Sequence, residues 1–271
     1  EIAFNYLTPV FCLNNHTKTI SWNHGSIFNL KDKPANRKKL EKHLKSVNKI
    51  VAISNLTLES INDVYPMYKE KTLLINNGYD FNEIINKSNQ ISDIEIEGDN
   101  LVFIGRIEKN KGIIELLDLF KNVVNILPQK KLYLLGTGDL DDYVKNFINK
   151  HKLNNNIFPL GYISNPYPYI KKSAYVIMLS YAEGFPTVFV EGLALGTGFI
   201  STPVGGTAEL SNNGLCGFVA KDKKELENYI INQLQQEKSC RIINSNTCKN
   251  YIKKYDISVQ INKFEKLLDE L

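Results

Sequence analysis

Residues 174–191 have the sequence AYVIMLSYAEGFPTVFVE, and this stretch decides the fold. The apolar run 174–179 is typical of a buried strand, and Pro186 suits the first turn of the helix that follows. In open parallel sheets, ligands bind beyond the carboxyl ends of the strands, where a helix N-terminus offers N–H groups to an anion. Glu183 in the loop and Glu191 in the helix therefore predict a ligand with phosphate and hydroxyl groups. The same spacing also occurs in a solvated loop followed by a surface helix.

The alternation of strand and helix patterns continues on both sides of this stretch. After residue 100, it predicts right-handed βαβ units, a parallel sheet and a doubly wound α/β domain. The predicted strands there are 101–104, 131–135, 157–160, 174–179 and 199–202, and the helical patterns are 113–124, 139–149, 167–171 and 187–195, followed by a turn-and-helix pattern at 217–236. Before residue 86, we predict strands at 18–22, 49–53 and 72–75, a basic helix, and a short helix near 58–64.

The polar run 86–100 predicts a domain boundary, which gives a first region at residues 1–98 and a second at 99–255. Residues 256–271 form an amphipathic pattern with Ile257, Ile261, Phe264 and Leu267 or Leu268 on one stripe. We expect this terminal helix to cross back and pack on the first region. That region is short and has no glycine-rich opening turn, so we expect the chain to begin partway through a domain.

The composition excludes collagen-like, disordered and disulfide-scaffold proteins. The chain has 271 residues, of which 43% are hydrophobic and 23% charged, as in a globular protein with two cores. The cysteines have no metal-ligand spacing, so we expect reduced thiols and no metal site; they are Cys12, Cys216, Cys240 and Cys248. Because no apolar run approaches ~20 residues and the first ten lack a basic signal-peptide start, we expect a cytoplasmic protein, soluble or peripheral at the inner face of a membrane.

The positive charge is concentrated in residues 31–49. This segment carries eight basic and two acidic residues, a net charge of +6, in a chain whose total is +4. Leu40, Leu44 and Val47 recur at helical spacing, which predicts an amphipathic helix with a basic outer face. Such a face docks on anionic lipid or is simply solvated. Nucleic acid is disfavoured as a partner because aromatic residues are not interleaved with these charges.

Two further strand ends carry residues suited to a diphosphate. Gly105-Arg106 follows the strand 101–104, and Lys111-Gly112 precedes the next helix. Arg binds two phosphate oxygens at once and Lys acts as a point charge. Gly136-Thr137-Gly138 follows the next strand, where glycine lets a ligand approach the backbone. A third glycine and an acid after the following strand are missing, which disfavours a dinucleotide-dependent dehydrogenase.

Together these motifs resemble the retaining glycosyltransferases of family 4, which have the GT-B fold of two Rossmann-like doubly wound domains facing a cleft. The resemblance runs through 103–112, 135–138, 160–163, 183–191 and 201–209, and also through 22–25, 52–54 and 75–80. It implies an α/β chain of two such domains, of which the N-terminal, acceptor-side one is incomplete.

The resemblance also implies roles for individual residues. Gly105, Arg106 and Lys111 would hold the donor diphosphate, Glu191 the ribose, and Gly136 and Ile163 the surroundings of the base. The donor sugar and phosphates would face Glu183, His24 and the backbone of Gly184, Phe185, Pro186 and Thr187. The catalytic set would be Glu183, His24, Arg106 and Lys111, with no metal and no cofactor.

The implied function is transfer of a sugar, with retention of configuration, from a nucleotide-diphosphate sugar, most simply a UDP-sugar, to a saccharide or lipid-linked acceptor. A bacterial surface-polysaccharide enzyme is the expected context. Asp139-Leu140-Asp141 is interpreted as a helix start, where acids suit the helix dipole, rather than as a metal site. Two alternatives stay open: an epimerase-type isomerase of sugar nucleotides, and a non-catalytic protein that binds them.

Overall fold

A computed structural model of the chain describes residues 2–4, 17–30, 33–92 and 94–271. These residues form two compact units, each built around a parallel sheet. The first unit comprises Glu1–Tyr79, Glu183–Phe185 and Lys254–Leu271, and the second comprises Asp80–Ala182 and Pro186–Lys253. Residues 80–98, which the sequence places in the first region, group with the second unit.

The first unit has a four-stranded parallel sheet in the order β1-β2-β3-β4. Its elements up to residue 79 are β1 (Ile2–Phe4), β2 (Ile20–Asn23), α1 (Pro34–Ser46), β3 (Lys49–Ala52), α2 (Asn55–Val64) and β4 (Thr72–Leu74), with 3₁₀ turns at Phe28–Leu30 and Pro66–Lys71. The strand β1 was not predicted from the sequence. The apolar face of α1 is confirmed, because Leu40, Leu44 and Val47 are all buried.

The second unit has a six-stranded parallel sheet. Its elements are α3 (Phe81–Ser88), β5 (Leu101–Ile104), α4 (Ile113–Ile126), β6 (Leu132–Leu135), α5 (Asp141–His151), β7 (Ile157–Gly161), α6 (Tyr167–Lys172), β8 (Tyr175–Met178), α7 (Thr187–Leu195), β9 (Gly198–Ser201), α8 (Thr207–Leu210), β10 (Gly217–Val219), α9 (Lys223–Gln235) and α10 (Ser245–Ile252). Short 3₁₀ turns occupy Lys109–Lys111, Lys238–Cys240 and Lys253–Tyr255. The expected doubly wound α/β domain is confirmed.

The strand order of the second sheet locates its ligand-binding edge. The order is β10-β9-β8-β5-β6-β7, so the chain winds in one direction from β5 to β7 and in the other from β8 to β10. In open α/β sheets, ligands bind outside the carboxyl ends of the strands at the point where this direction reverses. Here that point lies between β5 and β8, which pair directly through Leu101 and Val102. The loops that follow β5 and β8 are the ones that the sequence singles out.

The terminal helix α11 (Ile257–Asp269) packs on the first sheet. Leu267 is buried with Ile20, Val51 and Ile75, and the Phe264 ring meets Trp22 edge-on at 5.7 Å. The expected stripe is only partly correct, because Ile257, Ile261 and Leu268 are more than two-fifths exposed. The buried face is therefore turned toward Leu267 and the side chain of Gln260.

Candidate active site

The loop after β5 begins with Gly105 and carries the first predicted cation. The Gly105 N–H donates to the Leu135 carbonyl at 3.0 Å, which continues the β5–β6 pairing by one residue. Arg106 then turns outward, with a side chain that is 74% exposed and forms a salt bridge of 3.0 Å with Glu108. Because exposed ion pairs contribute only about 0–1 kcal/mol, the guanidinium can exchange Glu108 for a more highly charged ligand at little cost.

Glycine is required after β6 by a close approach of two backbones. Gly136 has φ of +142°, and a Cβ built there would stand 1.9 Å from the Gly105 carbonyl oxygen. Its N–H donates to the Gly161 carbonyl at 2.7 Å. The loops after β5, β6 and β7 are thereby drawn together without intervening side chains. The result is an open notch at the carboxyl edge of the sheet.

This notch is a cavity of about 270 Å³ that contains four of the predicted residues. Gly105, Arg106, Gly136 and Ile163 line it, together with Ile104, Leu135, Thr137 and Tyr162. The Tyr162 side chain is 78% exposed. Backbone, one cation and an exposed aromatic ring therefore surround one space, an arrangement suited to a planar group joined to an anion.

Lys111 is positioned by contacts between the loops after β5 and β8. It ends the 3₁₀ turn Lys109–Lys111, and Gly112 follows with φ of +69°. A Cβ on Gly112 would lie 2.0 Å from the Leu179 carbonyl oxygen, and the Tyr181 N–H donates to the Asn110 carbonyl at 3.0 Å. The loop that carries Lys111 is thus held against the end of β8, at the reversal point of the sheet.

The helix α7 follows the β8 loop and carries Glu191. Pro186 occupies its N-cap position without a side-chain cap, and the exposed Thr187 begins the helix. Glu191 is half-buried inside the helix, and burial raises the pKa of its carboxyl group to about 7. The Tyr167 hydroxyl, at the start of α6, donates to Glu191 Oε1 at 3.4 Å. A carboxylate in this setting can accept hydrogen bonds from ligand hydroxyl groups.

The remaining predicted residues belong to the first unit. A Cβ on Gly184 would lie 1.9 Å from the His24 carbonyl oxygen, so the segment Glu183–Phe185 lies directly against the end of β2. The Phe185 ring is buried and packs on Tyr255 with ring centroids 5.3 Å apart, which leaves the backbone of Phe185 for any ligand contact. Burial lowers the pKa of His24, so its imidazole is neutral at pH 7.

A second cavity, of about 470 Å³, lies in the first unit beside His24. Its lining includes the rings of Trp22 and Phe264 and the amide side chains of Asn76, Asn77 and Gln260. Gln260 is 5% exposed, and its Oε1 atom has no hydrogen-bond partner. Aromatic faces combined with amide groups suit a ligand that has both apolar faces and hydroxyl groups.

The sequence also predicts reduced thiols and no metal site. Cys216, Cys240 and Cys248 form no disulfide bond, and Cys12 lies outside the described residues. Among the described residues, no group of three His, Cys, Asp or Glu side chains is placed to hold a metal ion. Asp141 begins α5, and its carboxylate accepts from the Gly138 N–H at 3.2 Å, which agrees with its interpretation as part of a helix start.

Two tyrosines at this edge were not among the predicted site residues. Tyr162 lies next to the predicted Ile163, and Tyr167 lies five residues after Tyr162. In the sequence, each is an aromatic residue shortly after the end of a strand. The alternation of strand and helix patterns does not show whether such a residue lies at the ligand-binding edge or in the core.

The amino-acid sequence matches the profile of a known family. Residues 85–250, more than half of the chain, match the family described as glycosyl transferases group 1. The chain belongs to the group 1 glycosyltransferases. The resemblance to glycosyltransferases inferred from the motifs is confirmed at the level of group 1, and the GT-B fold is confirmed.

Two relatives and one solved structure illustrate the membership. The Campylobacter jejuni N-acetylgalactosamine-N,N'-diacetylbacillosaminyl-diphospho-undecaprenol 4-alpha-N-acetylgalactosaminyltransferase is 28% identical over 153 residues, which are 56% of this chain and 40% of that protein. The Staphylococcus aureus capsular polysaccharide biosynthesis glycosyltransferase CapM is 25% identical over 201 residues, 70% of this chain and 52% of that one. Anabaena HepE, solved in complex with UDP, shares the fold with a TM-score of 0.79 at 19% identity, over 94% of this chain and 72% of HepE.

This group 1 glycosyltransferase chain spans about half the length of the curated relatives it matches. Within its described residues, no helix combines the length and apolar character that crossing a membrane requires.

Proposed function

We propose that this chain transfers a sugar from a nucleotide-diphosphate sugar to a saccharide or lipid-linked acceptor, with retention of anomeric configuration and without a metal ion. The observation that carries the proposal is the notch formed by the loops after β5, β6 and β7. There, the backbone at Gly105 and Gly136 and the Arg106 guanidinium line one space, and the loop after β5 also carries Lys111. A nucleotide-diphosphate sugar has the matching chemistry: a planar base, hydroxyl groups and a dianionic diphosphate.

The proposed chemistry rests on charge stabilisation. As the bond between sugar and diphosphate breaks, negative charge grows on the leaving group, and preorganised cations and N–H groups stabilise it most strongly at that moment. Arg106 and Lys111 supply positive charge, and the uncapped first turn of α7 supplies N–H groups. A leaving phosphate oxygen then accepts the acceptor's proton on the same face of the sugar, which gives retention. Glu183 positions or stabilises the reacting sugar.

The donor base in this proposal is uracil. The notch beside Ile163 is small and lined mainly by backbone and apolar groups, which supports a pyrimidine. The complex of HepE with UDP supports the same choice by likeness of fold. The UDP-sugar is a substrate, and the proposal includes no cofactor.

The acceptor side is proposed to lie in the first unit. His24 contacts the transferred sugar, and the cavity with Trp22, Phe264 and Gln260 accepts a saccharide, whose hydroxyl groups would satisfy the unpartnered Gln260 Oε1. By name, one relative acts on a diphospho-undecaprenol saccharide, and another belongs to capsular polysaccharide biosynthesis. These names support an acceptor of bacterial surface-polysaccharide synthesis and a place at the cytoplasmic face of the membrane.

A thermal-shift screen of nucleotides and nucleotide sugars tests the proposal. At a ligand concentration about 100 times the dissociation constant, UDP and the matched UDP-sugar should stabilise the protein by about 2.7 kcal/mol. Product analysis with the matched donor should then give transferred or hydrolysed sugar, in the presence of chelator as in its absence. Epimerised donor without transfer would identify an isomerase, and binding without any turnover would identify a non-catalytic protein.

A further inference from the structure

Tyr167 and Glu191 form a contact that the proposed chemistry does not yet use. Tyr167 is the first residue of α6, and its hydroxyl lies 3.4 Å from Glu191 Oε1 on α7. This distance exceeds the usual O–H···O range of about 2.5–3.0 Å, so the hydrogen bond is weak and its effect on Glu191 should be modest. Both side chains are half-buried. Burial, together with the Glu191 carboxylate beside it, raises the pKa of Tyr167 to about 12, so this hydroxyl is a donor throughout the neutral range.

Two lysines on the neighbouring helices have partners of their own, and a third lies at the far end of α7. On α3, which packs against α6 and α7, Lys87 is paired with Glu83 at 2.6 Å. On α6, Lys171 donates to Asn89 Oδ1 at 2.6 Å. On α10, Lys249 lies beside Gly196, at the opposite end of α7 from the nucleotide site.

Burial and one neighbouring side chain determine the pKa of Glu191. Within residues 187–195, which form α7, Glu191 is the one titratable residue. Its carboxyl group is affected by burial and by the Tyr167 hydroxyl.

We propose that Tyr167 is a positioning residue that holds Glu191 as an ionised carboxylate toward the ribose of the donor, and thereby sets the pH range in which the nucleotide sugar binds. This inference rests on the proposed function, in which Glu191 accepts hydrogen bonds from ribose hydroxyl groups. The carboxylate accepts two such bonds, whereas the protonated acid has lost part of that capacity.

The sign of the effect follows from two opposing influences. Burial raises the pKa of Glu191, and the hydrogen bond from Tyr167 lowers it, leaving a value of about 7. Affinity for the donor is therefore highest above pH 7 and falls as the pH is lowered through 7. Removal of the tyrosine hydroxyl leaves burial unopposed, so the fall should begin at a higher pH.

The experiment measures the affinity for UDP-glucose by calorimetry from about pH 6 to about pH 9. UDP-glucose is used because a terminal phosphate, as in UDP, itself titrates with a pKa near 6. The variants are Tyr167→Phe, Glu191→Gln and Tyr169→Phe. Tyr169 is the matched control: it lies on the same helix, but its hydroxyl accepts from the Ile94 N–H and does not contact Glu191.

In Tyr167→Phe, the midpoint of the pH dependence should rise by at most about one pH unit, because the hydrogen bond is long. The affinity at pH 7 should fall by up to about fivefold, since the ionised fraction of Glu191 is then smaller. High pH should restore the affinity. Tyr169→Phe should keep the wild-type midpoint, and Glu191→Gln should remove most of the dependence. A uniform loss of affinity at every pH in Tyr167→Phe would reduce Tyr167 to a packing role and overturn the inference.

A ligand-free measurement separates this inference from the proposed function. In protein labelled with ¹³C at glutamate carboxyl groups, the Glu191 resonance is assigned by its loss in Glu191→Gln and titrated in each variant. The midpoint should be near pH 7 in the wild type, higher in Tyr167→Phe and unchanged in Tyr169→Phe. An unchanged midpoint in Tyr167→Phe overturns the inference whether or not nucleotide binds. If Glu191 titrates as expected but the protein binds neither UDP nor UDP-glucose, the proposed donor is overturned instead.

Discussion

Arg106, Lys111 and Glu191 have different roles on the proposed donor, and substitution should separate them. Loss of Arg106 or Lys111 removes charge that matters most as the diphosphate departs, so turnover in each Ala variant should fall by about 10²–10³. Loss of Glu191 removes contacts that are present in both ground and transition states, so Glu191→Ala should raise KM for the donor more than it lowers kcat. Hydrolysis of the donor is a sufficient readout for all three.

Lys109→Ala is the matched control for these variants. Lys109 is an exposed lysine on the same 3₁₀ turn as Lys111, and its loss should leave turnover near the wild-type rate. Each variant is assayed with and without chelator. Unchanged turnover in Arg106→Ala and Lys111→Ala, or loss of wild-type activity in chelator, would contradict the metal-free diphosphate clamp.

The positions of several site residues could be predicted because parallel strands end at one edge. Gly105, Gly136 and Ile163 follow three neighbouring strands, and the structure places them around one cavity. The contact between Tyr167 and Glu191 could not be predicted in this way. It depends on how α6 and α7 pack side by side, which the spacing of residues along the chain does not determine.

At the scale of elements, prediction succeeded where local signals mark both ends. The bounds Thr187–Leu195 of α7 were predicted correctly, because Pro186 favours the start and Gly196, with φ of +80°, ends the helix in a left-handed conformation. The strand β1 and the helices α3 and α10 were missed. Each is eight residues or fewer, so it shows too little periodicity to stand out from its polar neighbours.

The register of α11 shows a different limit. Helical spacing predicted an apolar stripe, but two alternatives, Leu267 and Leu268, fitted it equally well. The structure buries Leu267 and leaves Leu268 48% exposed. The choice is made by the shape of the first sheet, where Leu267 meets Ile20 and Val51, and a pattern within one helix contains no information about that partner surface.

Within the first unit, Lys71 caps the C-terminus of α1 from a neighbouring element. Its ammonium group donates to the carbonyls of Leu44 at 2.6 Å and Val47 at 2.8 Å, where the helix leaves carbonyls unpaired. Lys71→Met keeps the aliphatic stem and removes these charged donors. The free energy of unfolding of the first unit should fall by about 1.5–3 kcal/mol.

Denaturation monitored by tryptophan fluorescence measures this effect in the correct unit, because Trp22 is the single tryptophan of the chain and lies on β2. Lys69→Met, at an exposed position of the same 3₁₀ turn, serves as the control and should have a midpoint close to the wild type. Equal midpoints for Lys71→Met and Lys69→Met would show that the cap contributes nothing to stability.

At the scale of the whole molecule, the charge distribution is uneven. Residues 31–49 have a net charge of +6. The whole chain has a net charge of +4, so the remaining residues sum to −2. In the structure, Lys38, Lys39, Lys42 and Lys45 are exposed on α1, while Lys31 lies outside the described residues. Each lysine near an anionic lipid surface contributes about 1 kcal/mol of binding free energy. We therefore propose that the basic face of α1 docks on an anionic membrane.

Vesicle sedimentation tests this docking. Vesicles with anionic lipid should retain the protein at low salt and release it near 1 M salt, where the Debye length falls to about 3 Å. Replacing Lys38, Lys39, Lys42 and Lys45 by Gln should abolish retention without changing the affinity for UDP. The control replaces four exposed lysines of the second unit, Lys145, Lys150, Lys221 and Lys224, and so changes net charge equally. If both quadruple variants lose retention alike, net charge rather than the face of α1 governs binding, and retention on neutral vesicles would exclude an electrostatic mechanism altogether.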